Sequence, residues 1–104
     1  MKAGLEHVIV WEFRVVTGKE AEFIEKYGPE GIWARFFRNG RGYIKTELVR
    51  DVADSRRFLT LDYWQAEEDF ERFREQNLTE YKRLDEQFAG LTKTETRLGA
   101  FKTS

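Results

Sequence analysis

The chain contains no cysteine. That absence excludes disulfides, thiolate metal sites and cysteine nucleophiles, and it suits a reducing compartment. A single histidine, His7, excludes any multi-histidine metal site within one chain. There is no large excess of charge of either sign, since 18 Lys and Arg face 19 Asp and Glu for a net charge of −1. A nucleic-acid binder would carry a concentrated basic surplus and a polybasic membrane anchor a basic cluster, so neither partner is expected. No apolar run approaches the ~20 residues of a membrane span. The start, Met1 to His7, lacks the apolar stretch of a signal peptide, so a soluble, cytoplasmic protein is expected. No GxGxxG, P-loop, HExxH, GxSxG or EF-hand pattern occurs, and Gly40-Arg41-Gly42 is too short to cradle a phosphate. At 104 residues, with no linker, repeat or low-complexity stretch, residues 1–104 read as one domain.

What the chain does have is rings. Nine Phe outnumber eight Leu, and three Trp and four Tyr join them. Two uses compete for these side chains: a core and subunit interface built from aromatics, or a pocket for a flat apolar ligand.

The elements follow from spacing. His7–Val16 is β-branched and aromatic and reads as a strand, with Ile9, Trp11, Phe13 and Val15 on one face and Val8, Val10, Glu12 and Arg14 on the other. Thr17-Gly18-Lys19-Glu20 fits a capping box, opening a helix to Tyr27 that buries Ala21 and Ile24, with Phe23 and Tyr27 as further candidates. Gly28-Pro29 stops it. A second short helix is predicted over Pro29–Arg38, its face formed by Ile32, Trp33, Phe36 and Phe37. Tyr43–Arg50 and Arg57–Trp64 read as an antiparallel hairpin. In its first strand Ile44, Thr46 and Leu48 oppose Tyr43, Lys45, Glu47 and Val49. Three carboxylates, Glu67 to Asp69, open the next helix where the macrodipole favours them, and Ala66, Phe70 and Phe73 form its buried stripe. A helix over Thr79–Ala89 buries Tyr81, Leu84 and Phe88 and ends with Gly90 as its C′ glycine. Leu91–Phe101 is the last strand.

The order β-α-α-β-β-α-α-β is a ferredoxin-like α+β arrangement: a four-stranded antiparallel sheet with helices on one face. The opposite face would leave Val8 and Val10 bare, and an apolar patch of that kind calls for a partner. The simplest closed solution is a homodimer, sheet against sheet.

The stretch Leu59-Thr60-Leu61-Asp62-Tyr63-Trp64-Gln65-Ala66-Glu67-Glu68-Asp69-Phe70 resembles the Trp-containing segment of the antibiotic-biosynthesis-monooxygenase-like domains. So does the closing run Tyr81, Leu84, Leu91-Thr92 and Arg97-Leu98-Gly99-Ala100-Phe101. The resemblance covers the element order of nearly the whole chain and is specific around Trp64 and the acidic helix start. It implies a subunit that keeps a cavity between sheet and helices and pairs into a dimeric α+β barrel. Members include cofactor-free monooxygenases of aromatic polyketides, haem-degrading enzymes and many proteins of unknown activity. Two departures stand out. Polyketide-oxidising members carry a Tyr six residues after the Trp and an Asn four before it, where this chain has Phe70 and Thr60. Haem-degrading members need an axial His about ten residues after the Trp and an Asn in the first strand; here those regions hold Arg74-Glu75 and the neighbourhood of Trp11.

These readings nominate the site. Trp64 either walls a cavity and stacks on a flat ring or is a core residue at a strand end. Asp62 is a general base if burial raises its pKa; otherwise it serves a structural hydrogen bond. His7 shares a face with Ile9 and Trp11 and is the second candidate for accepting a proton. Trp33, Trp11 and Phe70 are candidate substrate-contacting rings, and Arg74 is a candidate partner for an anionic substrate group. The function implied is a cofactor-independent monooxygenase acting on a small flat aromatic of quinone or polyketide type. The alternative is a non-catalytic dimeric module that binds an apolar metabolite. Neither needs a metal.

Overall fold

The computed structural model describes residues 5–104. The elements are β1 (His7–Val15), α1 (Glu20–Tyr27), α2 (Ile32–Phe37), β2 (Tyr43–Arg50), β3 (Arg57–Trp64), α3 (Glu67–Gln76), α4 (Leu78–Phe88), a 3-10 turn (Ala89–Leu91) and β4 (Thr92–Lys102). The strands form one antiparallel sheet in the order β2-β3-β1-β4. This is the ferredoxin-like arrangement expected from the alternation of periods.

The core lies between the sheet and the helices, and it is aromatic. Ile9, Phe13 and Val15 of β1 and Phe58 and Trp64 of β3 meet Phe23, Trp33, Phe37, Phe73 and Phe88 from the helices. The rings meet at mixed angles, from Phe23 stacked on Tyr27 at 4.3 Å to Phe36 edge-on to Phe73 at 4.8 Å. Such arrangements add to the burial of apolar area, which is worth about 1.5–3 kcal/mol per large side chain. Gly40 belongs to this packing through its missing side chain. A Cβ there would lie 2.7 Å from the Phe73 ring and 2.9 Å from the Trp64 indole.

Several local expectations are corrected. The capping box at Thr17 does not form. Gly18 takes a positive φ of 88° and makes a tight turn, so the helix starts at Glu20 rather than after Thr17. Glu20 still folds back, but it accepts from the Gly18 amide (2.8 Å), and the Thr17 hydroxyl accepts from Arg56 instead. With the start displaced, α1 buries Phe23 and Tyr27 and leaves Ala21 and Ile24 exposed. The helix predicted over Pro29–Arg38 is only Ile32–Phe37, because the chain first turns through Gly28–Gly31. Gly90 lies within the 3-10 turn and has no left-handed φ, so it is not a C′ glycine.

A bulge in β2 between Tyr43 and Lys45 shifts the register. Tyr43 therefore joins the core face with Thr46 and Leu48, while Ile44 is left exposed. On the helix-free face Val8 and Val10 are already buried within the single chain, contrary to expectation. Tyr63 and Phe101 flank Val8 across the ladders, and Leu61 and Gly99 flank Val10. The Phe101 ring lies back over Gly99. The exposed apolar residues of the sheet are at its edge strands: Ile44 and Val49 on β2, Leu98 and Phe101 on β4.

Candidate active site

A cavity of about 390 Å³ opens between the sheet and the helices. At ~30 Å³ per water molecule it has the volume of about 13 waters, enough for two or three fused rings. Its floor is the middle of the sheet: Trp11 and Phe13 of β1, Thr46 of β2, Thr60 and Asp62 of β3. Trp33 and Phe37 of α2 and Tyr81 of α4 cover it, with Trp33 edge-on to Tyr81 at 5.2 Å. The exposed residues of the lining, Arg74, Asp85, Ala89 and Glu95, mark the mouth. Rings on opposite walls and polar groups at two places make a slot suited to a flat molecule with a polar edge.

The inner polar place is Asp62. Alternation along β3 turns Phe58, Thr60, Asp62 and Trp64 to the helices, and the β2 bulge sets Thr46 directly opposite Asp62. The Thr46 hydroxyl donates to Asp62 Oδ1 at 2.6 Å. Tyr43 and Thr46 oxygens are 2.8 Å apart. Asp62 Oδ2 has no hydrogen-bond partner among the described residues and is not sealed off, so it faces the cavity. Burial pushes the Asp62 pKa up to about 6, against the partial relief given by the Thr46 hydrogen bond. A carboxyl poised near neutrality, with one oxygen held and one free, can take a proton from a ligand O–H or acidic C–H.

The outer polar place is mixed. The Arg74 guanidinium stacks over the Tyr81 ring at 5.6 Å. Partial desolvation at the mouth, then the charge of Glu95, shift Asp85 upward, with Arg74 opposing. Burial, then the charges of Asp62 and Asp85, push the Tyr81 pKa up, so its hydroxyl remains a neutral donor at physiological pH. Tyr27 is raised chiefly by burial and secondly by Glu95. Among the described residues, buried Trp33 Nε1 has no hydrogen-bond partner.

Of the residues nominated from the sequence, Asp62, Trp11, Trp33 and Arg74 line this cavity. Trp64, Phe70 and His7 do not. The Trp64 indole is completely buried, packed against Phe37, Tyr43, Phe70 and Phe73 at 5.3–5.8 Å. Only Gln65 and Ala66 separate β3 from α3, so the helix folds straight down over the strand end and the indole is enclosed there. Phe70 is drawn into the same packing, 5.5 Å from the indole. His7 pairs with Trp64 and Lys102 at that end of the sheet, while the cavity sits over Trp11 and Thr60 nearer its middle. Thr46, Tyr81, Tyr27, Asp85 and Glu95 were not nominated. Thr46 carried a signal, a polar residue at an inward position between apolar ones in a strand that pairs with the Asp62 strand. The rest come together only through tertiary packing.

The family model for antibiotic biosynthesis monooxygenase matches residues 7–86. The chain belongs to the antibiotic biosynthesis monooxygenase family. Its structural relatives agree. SnoaB, a cofactor-independent oxygenase from Streptomyces nogalater, is 25% identical with a TM-score of 0.64, over 96% of this chain and 94% of SnoaB. A protein from Bordetella bronchiseptica superposes with a TM-score of 0.72 at 15% identity, over 96% of this chain and 98% of that one. A conserved protein from Methanosarcina mazei gives a TM-score of 0.70 at 14% identity, over 96% and 94% of the two chains. At such low identity the last two show the fold alone. No curated protein matches the chain. Among the described residues no helix is long and apolar enough to cross a membrane, and no cluster of His, Asp and Glu could hold a metal ion.

Proposed function

We propose that this antibiotic biosynthesis monooxygenase family member is a cofactor-independent oxygenase of a small, flat, electron-rich aromatic of hydroquinone or anthrone type. One observation carries the reading: a ring-lined slot of about 390 Å³ ends on a half-buried carboxyl whose pKa is pushed up to about 6. The likeness to SnoaB supports the same chemistry. The aromatic enters between Trp11 on the floor and Trp33 and Tyr81 above. Asp62 takes one proton, leaving an electron-rich anion between the rings of the slot. The anion passes one electron to molecular oxygen, the radical pair combines to form a carbon–oxygen bond, and the resulting peroxide anion takes the proton back from Asp62. For an anthrone, loss of water from the resulting hydroperoxide gives the quinone, so one oxygen atom enters the product and the other leaves as water. The protein binds, excludes solvent, accepts the proton and, through Tyr81 and Arg74 at the outer side, stabilises negative charge. His7, Trp64 and Phe70, which do not line the cavity, make no contact with the aromatic.

The same reading includes a cytoplasmic homodimer formed by the helix-free sheet faces, supported by exposed Val49 and Phe101. A monomeric mass in sedimentation at micromolar concentration would contradict it. A second reading, a dimeric receptor that binds an apolar metabolite without converting it, is favoured by Phe70, which supplies no hydroxyl where polyketide-oxidising members have Tyr. Oxygen uptake with a panel of hydroquinones and anthrones separates the two. The oxygenase reading predicts protein-dependent uptake lost in Asp62→Asn. The receptor reading predicts a ligand that raises the melting temperature and is recovered unchanged.

A further inference from the structure

The Asp62 carboxyl is held by neighbours that the proposed reaction has not so far used. Tyr43, Thr46 and Asp62 form a chain of oxygens, 2.8 Å from Tyr43 to Thr46 and 2.6 Å from Thr46 to Asp62. The Thr46 hydroxyl has one hydrogen. When Asp62 is ionised that hydrogen is given to Oδ1, so the Tyr43 hydroxyl must be the donor to Thr46. The direction of the chain is thus fixed from Tyr43 to Thr46 to Asp62. Aligned donors of this kind polarise one another and strengthen the last bond, which ends on a charge.

The backbone serves this chain. Without the bulge between Tyr43 and Lys45, strict alternation would place Tyr43 on the face opposite Thr46. With it, both face inward, Tyr43 against the Trp64 ring at 5.3 Å and Thr46 buried beside Asp62. Trp64 is therefore a support for Tyr43 rather than a wall of the cavity.

We propose that Tyr43 and Thr46 are positioning residues: a directed hydroxyl relay, built by the β2 bulge, that holds Asp62 Oδ1 and presents Oδ2 to the cavity as an acceptor for a ligand O–H. The relay makes the inner end of the slot an acceptor while Asp62 is ionised. It selects phenols and enols over their methyl ethers, which have no hydrogen to give. This rests on the reading of Asp62 as the proton acceptor of the cavity, but its test does not depend on turnover.

The test is the titration of Asp62 itself, followed by NMR in protein carrying carboxyl-labelled aspartate, with the Asp62 resonance assigned from Asp62→Asn. Thr46→Val keeps the shape and removes the hydroxyl; the Asp62 midpoint rises by about one unit or more, an about tenfold fall in its ionised fraction below the midpoint. Thr46→Ser restores the hydroxyl and returns the midpoint to within a few tenths of the wild type. Tyr43→Phe removes only the outer link and raises the midpoint by less than Thr46→Val does. Tyr27 of α1, Arg74 of α3, Tyr81 and Asp85 of α4 and Glu95 of β4, the other ionisable groups around the cavity, are unaltered in all three variants. An Asp62 midpoint unmoved by Thr46→Val, in protein whose amide spectrum is folded, overturns the relay. A moved midpoint without oxygen uptake on any aromatic leaves the relay standing and removes the oxygenase reading alone. Where uptake is found, the acid limb of its pH profile moves with the NMR midpoint across the series.

Discussion

Replacing Asp62 by Asn removes a charge that the fold pays to keep. The carboxyl titrates at about 6 in the folded chain against 3.8 for an ordinary Asp, because burial disfavours its ionised form. The folded state therefore holds this proton more tightly than the unfolded chain. The favourable contribution is complete below pH 4, declines as pH rises from 4 through 6, and is gone above that. A shift of about two units corresponds to about 3 kcal/mol as an upper figure. Because Oδ2 opens on the cavity, and water there solvates it in part, about 1–3 kcal/mol is the working range. Asn fits the same space, and its Oδ1 still accepts from Thr46, so the substitution isolates the charge. Asp62→Asn should thus melt about 5–15 °C above the wild type at pH 7–8, with the gap closing toward pH 4. Thermal melts of both proteins at half-unit steps from pH 4 to 8 measure this directly. A gap that is constant with pH, or that widens toward acid, would refute the burial argument. An activity loss together with a stability gain would mark Asp62 as a residue kept for chemistry against its cost to the fold.

Other substitutions separate the cavity from the packing beside it. Trp64→Phe should lower stability to urea by about 1–3 kcal/mol while leaving ligand affinity of the folded protein within about twofold, because the indole is core and not wall. Trp33→Ala should instead weaken binding of anthrone-type ligands at least about tenfold, measured by calorimetry, since Trp33 forms the cover of the slot. Gly40→Ala forces a methyl against the Phe73 and Trp64 rings and should cost about 1–3 kcal/mol in the same urea titration. His7→Ala, remote from the cavity, should leave oxygen uptake and its pH profile unchanged, and a tenfold loss would return His7 to the site.

The strands were legible because alternation and β-branching are local signals, and β2 and β3 begin and end where the pattern places them. The helix faces were legible where periodicity was clean, as for Trp33 and Phe37 on α2. Where a single residue changes phase, the pattern misleads. Gly18 displaced the start of α1, and the bulge at Ile44 turned Tyr43 from one face to the other. Asp62 and Thr46 both stood at inward positions, yet their contact depends on register, which no single strand displays. Trp64 carried the family resemblance and so drew the site toward itself, but the two-residue connection to α3 seals that strand end. The hollow lies two residues back, over Asp62, where the cover comes from α2 and α4. Asp85 and Glu95 reach the mouth from α4 and β4, and nothing in their local sequence distinguishes them from other surface carboxylates.

The rate of oxygen consumption with a hydroquinone or anthrone substrate as a function of pH, in wild type and Asp62→Asn, decides whether Asp62 is the proton acceptor. With Asp62 as the base, the wild-type rate rises with pH through an apparent pKa near the 6 of Asp62, and the variant's rate falls about 10²-fold or more and loses that limb. Equal rates in the two proteins across the range would contradict that role.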